Sequence, residues 1–192
     1  MERKIVYDVE TQKAFDEVTK RNPEKLGISV IAVYDYSDGE YKTFREENIK
    51  ELWPLFESAD LIIGFNQKHF DNKVLNAYYP GDLSIFPHLD LLEEFYKSAG
   101  FRARLDDLAF ATLGKRKSSH GLQAIKWFKE GNFEALAAYC KQDVLVTKEL
   151  YEYALLHGHL KYREINEIKE VALNTSGWDK IRPMEVNYTL PF

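Results

Sequence analysis

The first ordered pattern along the chain is Ile5-Val6-Tyr7-Asp8-Val9-Glu10-Thr11, whose β-branched and aromatic residues predict a strand. Residues 11–25 are polar and charged, with Phe15 and Val18 as the anchors of a short helix or loop. Residues 26–36 again favour extended structure. Ser37-Asp38-Gly39 reads as a hairpin turn, and 40–45 returns as a third strand. Ile49, Leu52, Trp53 and Phe56 fall at helical spacing, which predicts a helix over 46–59. The continuous apolar run 60–66 predicts a strand buried on both faces. A helix over 70–79 follows, closed by Pro80-Gly81, then a short strand over 88–91.

The remainder reads as helices: 92–99 ended by Gly100, 105–113 ended by Gly114, 122–129 ended near Gly131, and a long one over 133–157 between Asn132 and Gly158. Beyond 158 the alternation is weak, and both a hairpin through Thr175-Ser176-Gly177 and a segment wrapping the domain fit it. Three strands, then helices alternating with strands, predict an α/β fold whose mixed sheet opens on an antiparallel hairpin. The expected division is a domain over 1–160 and a C-terminal tail or appendage over 161–192 packing on it.

Composition narrows the class. A chain of 192 residues with 45% hydrophobic and 14% aromatic content builds a packed core and is not disordered. The net charge of −5 argues against a general nucleic-acid binder. A single cysteine, Cys140, excludes an internal disulfide framework and a cysteine zinc site, fits a reducing compartment, and is expected to be a buried small residue. With no signal-peptide pattern and no apolar run long enough for a bilayer, the expectation is a cytoplasmic protein without a membrane partner.

Charge also marks the candidate chemistry. Asp8 and Glu10 are two apart on a strand, so their carboxylates leave it on one face. Like charges there repel unless a cation lies between them, and oxygen ligands suit Mg²⁺ or Mn²⁺. The pair alone is weak, since Asp38-Gly39-Glu40 repeats it in a turn. Two further places put a carboxylate at or on a helix. Asp71 follows Asn66-Gln67-Lys68-His69-Phe70 at a helix start. Tyr139 and Asp143, four apart, share a face of the long helix.

In that order and spacing, Asp8-x-Glu10, Asn66-x-x-x-Phe70-Asp71 and Tyr139-x-x-x-Asp143 resemble the three motifs of the DEDD exonucleases. These are the DnaQ-like branch of ribonuclease H-like folds, which includes polymerase proofreading and helicase-associated domains, and the tyrosine resembles the DEDDy subgroup. The resemblance spans residue 3 to about 158. It implies a ribonuclease H-like mixed sheet flanked by helices, and 3′–5′ hydrolysis at the 3′ end of a nucleic acid. The acidic overall charge favours single strands, and DNA is taken as the favoured substrate, although no motif reports the 2′ position. The resemblance also implies two divalent cations, Mg²⁺ or Mn²⁺, about 3.5–4 Å apart. Asp8, Glu10, Asp71 and Asp143 would be the metal ligands, and Tyr139 would orient the attacking water. A helicase or polymerase is the kind of partner it brings to mind.

Secondary candidates carry two readings each. The loop Lys115-Arg116-Lys117-Ser118-Ser119-His120 is either a phosphate grip, through Lys115, Lys117 and His120, or a solvated surface. Asn66 either touches substrate or, the favoured reading, caps the turn into the next helix. Phe70 either meets the terminal base or packs in the core. Asp90 and Asp106 are expected at helix starts, and His157 and His159 flank a helix end. A ribonuclease H-type endonuclease and a catalytically inactive nucleic-acid-binding module are the competing functions.

Overall fold

The computed structural model describes residues 2–115, 121–165 and 167–178. A five-stranded sheet forms its centre, in the order β3-β2-β1-β4-β5. β1 (Lys4–Thr11) pairs antiparallel with β2 (Ile28–Asp35) and parallel with β4 (Leu61–Gly64). β3 (Glu40–Phe44) extends the antiparallel side, and β5 (His88–Asp90) the parallel side. This is the mixed α/β sheet that the strand pattern predicts.

Alternation along β1 divides the core. Ile5, Tyr7 and Val9 point to one face, where Leu52, Trp53, Phe56, Val74 and Leu75 pack on them. Those residues come from α1 (Trp53–Glu57), α2 (Asp71–Leu75) and the 3₁₀ segment leading into α1. Val6 points to the other face, with Val30, Ala32 and Ile63, and is covered by Leu108, Leu136, Val144 and Leu150. These belong to α4 (Leu105–Leu113) and α6 (Phe133–His157), beside which lie α3 (Leu91–Ala99) and α5 (Gly121–Lys129). A sheet covered on both faces explains why β4 reads as an unbroken apolar run.

Three expectations need correction. The helix expected over 46–59 is a 3₁₀ segment, Glu46–Glu51, followed by the short α1. Pro54 sits in the first turn of α1, where its missing N–H starts a new helix rather than continuing one. The helix expected over 70–79 is regular only over Asp71–Leu75, after which the Asn76 side chain accepts the Leu83 N–H at 3.1 Å and holds a turn. The tail hairpin does not turn at Thr175-Ser176-Gly177. It is β6 (His159–Glu164) against β7 (Glu167–Ala172), with Ile165 at φ 55° in its turn.

This hairpin docks on the helical side. Lys161 N–H donates to Thr112 Oγ1 at 2.9 Å, Thr112 Oγ1 donates back to the Lys161 carbonyl at 3.1 Å, and Tyr162 packs edge-on against Phe101. Asn132 caps α6 by accepting the Ala135 N–H, and Gly158 closes it at φ 71°, as expected. No helix among the described residues is long and apolar enough to cross a membrane.

Candidate active site

The site forms where β1 passes beneath α6. Asp8 and Glu10 share the face of β1 that carries Val6, the face turned to α6. The pairing with β2 slips between Glu10 and Thr11, an irregularity of the kind that re-aims side chains at the end of a strand. Asp143 descends from α6, and one carboxylate oxygen each of Asp8, Glu10 and Asp143 lies within 4.8 Å of the others. Asp71, the first residue of α2, is 4% exposed, and its Oδ1 accepts the Val9 N–H at 3.0 Å. That bond ties it to the backbone of β1 between Asp8 and Glu10 in sequence, beside the three clustered carboxylates but not one of them. Burial first, and the Asp8 carboxylate second, hold the Asp71 carboxyl well above the usual carboxylate range.

Tyr139 is one turn before Asp143 on α6, and its ring meets Trp127 edge-on at 5.9 Å. Asp8, Glu10, Asn66, Phe70, Asp71 and Tyr139 line a single open cleft of about 520 Å³. Phe70 packs edge-on against Phe15 at 5.8 Å on the cleft wall.

Asn66 departs from its favoured reading. Its backbone is left-handed (φ 65°), and its carbonyl accepts the N–H groups of His69 and Phe70 at 3.2 and 3.1 Å. The side-chain oxygen instead accepts from the Arg102 guanidinium. Phe70 occupies the cap position of α2, with no side-chain cap. The turn is therefore closed by backbone, and the Asn66 side chain is committed across the loop. Lys115 lies away from the cleft, its Nζ 2.5 Å from both carboxylate oxygens of Glu149 on α6. Lys117 and His120 lie outside the described residues.

Two residues serve the site without being marked as part of it by sequence. Cys140 is buried, as expected, and its thiol donates toward the Asp8 carbonyl (3.4 Å) and Asp8 Oδ2 (3.5 Å). Burial, and then the charges of Asp8, Glu10 and Asp143, push that thiol up, so it stays protonated and serves as a donor. Asp90 does stand at a helix start, accepting the Leu92 and Glu93 N–H groups of α3 at 3.0 and 3.3 Å. The same carboxylate also accepts the N–H groups of Asn66 (2.8 Å) and Lys68 (3.1 Å), so it pins the loop that delivers Asp71. The spacing Leu136, Cys140, Asp143, Thr147 traces the buried stripe of α6, which was the available signal for Cys140. Nothing local in the sequence signals the second pair of bonds at Asp90, which reach back more than twenty residues.

Three converging carboxylates, with Asp71 held close by through the Val9 N–H, form an all-oxygen donor set of the kind that suits a hard divalent cation. The fold and the acids together define a ribonuclease H-like nuclease architecture. A family model described as the RNase_H superfamily matches residues 7–155, and the chain belongs to that superfamily. No curated protein matches the sequence. Among solved structures, the chain is similar to a family B DNA polymerase from the hyperthermophilic archaeon Pyrobaculum calidifontis, with a TM-score of 0.59 and 17% identity. The match covers 81% of this chain and 25% of the polymerase, so the likeness is one of fold to a quarter of a longer protein.

Proposed function

We propose that the chain is a metal-dependent 3′–5′ exonuclease acting on the 3′ end of single-stranded nucleic acid. The observation that carries this is the meeting of Asp8, Glu10 and Asp143 within 4.8 Å, at the mouth of a cleft that also holds Asp71 and Tyr139. Asp8, Glu10, Asp71 and Asp143 are the residues that would hold two divalent cations, Mg²⁺ or Mn²⁺. When bound, such ions lower the pKa of the attacking water and stabilise charge on the leaving oxygen. Tyr139 lines the same cleft, and on this reading its hydroxyl orients that water. With an ordinary pKa of about 10 a tyrosine is a poor base at neutral pH, so its role is position rather than proton removal. Cys140 fixes the Asp8 carboxylate from behind, and Asn66 and Phe70 line the wall that a terminal nucleotide would meet.

The likeness to a DNA polymerase favours DNA as the substrate class, and the motif resemblance makes a polymerase or helicase the partner class we propose. The catalytic unit is residues 1–160, with 161–192 an appendage to it; of that appendage, the described strand β6 packs on α4 and α6. The test is digestion of single-stranded DNA and RNA, each labelled at its 5′ end. In Mn²⁺ or Mg²⁺ the DNA should shorten as a ladder one nucleotide at a time, and EDTA should stop it. Internal cuts at the earliest times would instead establish the endonuclease reading. Binding with no cleavage in either metal would establish the inactive module.

A further inference from the structure

We infer that the single strand leaves the acid cluster along α5, crossing Leu122 and Ile125 and placing backbone phosphates at Lys126 and Lys129. This deepens the exonuclease reading and rests on it. The cleft that holds the acids adjoins a second cavity of about 520 Å³, between α5 and the 3₁₀ turn Phe15–Glu17. Ala14, Leu122 and Ile125 line both, so the two form one continuous groove. Lys126 and Lys129 stand in its outer half.

The groove has the chemistry of a base-and-phosphate polymer. Leu122 leaves 73% of its surface open, and Phe15, on the opposite bank, 37%. Apolar and aromatic surface of this kind receives base faces without regard to sequence, while cations beside it track the phosphates. Lys126 and Lys129, one turn apart on α5, are the two cations among the described residues that line the second cavity, where they face Asp16, Glu17 and Glu130. Their present partners are weakly held. Lys129 Nζ is 2.8 Å from Glu17 Oε2 across the groove, and Lys126 Nζ is 3.8 Å from Glu130 Oε1, with all four side chains substantially exposed. Exposed pairs of this kind contribute little, so a phosphate displaces a carboxylate at small cost. Lys115 lines neither cavity and is held by both oxygens of Glu149. The basic grip is thus on α5 rather than at Lys115.

The test is fluorescence anisotropy in Ca²⁺ with 5′-labelled oligothymidylates, a dinucleotide and a strand of about twelve residues. Lys126→Gln with Lys129→Gln should weaken the long strand about tenfold and flatten its log–log salt dependence by about 1.4, or ~0.7 per single-strand phosphate contact. The dinucleotide should lose less than about twofold, because it ends before the lysines. Leu122→Ser should weaken the long strand with the salt slope unchanged, and Lys115→Gln should change neither quantity. An unaltered slope in the double variant, or equal losses for the long and short strands, overturns the path. The exonuclease reading fails separately. If the native chain releases no nucleotide in Mn²⁺ while the lysines still govern binding, the groove stands and the catalytic reading falls.

Discussion

Tyr139 and Asp143 share one face of α6 but differ in what they supply, and that difference is measurable. Asp143 offers a charge within 4.8 Å of two others, so Asp143→Asn should weaken metal binding as well as turnover. Tyr139→Phe keeps the ring and its contact with Trp127. It should lower the single-turnover rate by about 10²–10⁴-fold, the range for a positioned proton-handling group, with Mn²⁺ affinity and melting temperature nearly unchanged. Calorimetric Mn²⁺ titration beside rapid-quench kinetics separates the two. A Tyr139→Phe variant at full rate would make the tyrosine a packing residue. Asp71 gives a further contrast. The amide oxygen of Asp71→Asn can still accept the Val9 N–H, while the buried charge disappears. The metal-free variant should therefore melt about 2–4 °C higher, a gain of ~1 kcal/mol in a domain of this size, while losing activity.

At the level of elements, Asp90 ties α3 and the loop after β4 to the edge strand through four backbone N–H groups. Asp90→Asn keeps one good acceptor and puts an N–H donor where the Lys68 N–H pointed. The expected cost is about 1–3 kcal/mol in urea denaturation, as for a cap or a buried hydrogen bond lost. The strands of the central sheet were legible in the sequence because burial on both faces forces a continuous or alternating apolar pattern. So was α6, whose ends are marked by Asn132 and Gly158. The hairpin β6–β7 was not legible in detail. Of its residues Leu160 alone is fully buried among those described, and its turn uses Ile165 at positive φ rather than a glycine. The acids were readable through motif order, whereas their supports, Cys140 and Asp90, were not. A support is defined by what it touches across the fold, and a pattern along the chain does not record that.

For the molecule as a whole, acid sensitivity has an identifiable contributor in His88. Its Nε2–H donates to the Leu83 carbonyl at 2.8 Å, while its Nδ1 is buried with no hydrogen-bond partner among the described residues. Burial, opposed by the Leu83 bond, lowers its pKa to about 4. The unfolded chain, with histidine near 6.5, takes up this proton first. Stability is therefore present above about pH 6.5 and is lost as pH falls through about 4, amounting to about 3 kcal/mol. Urea titrations of the native chain and His88→Gln from pH 7 to pH 4 should converge by about that amount as the native protein weakens. Equal pH dependence in both would remove His88 from the account.

The distance in sequence between the two halves of the acid cluster has a further meaning during synthesis. Cys140 touches Asp8 across 132 residues, and Asp143 follows Cys140 on the same helix. At about 5–20 residues per second, the first strand waits roughly 7–26 s before the ribosome has made the helix that completes the cluster. A partly made chain therefore carries Asp8, Glu10 and Asp71 without their fourth carboxylate. On the exonuclease reading proposed above, no complete donor set exists until most of residues 1–160 has been translated.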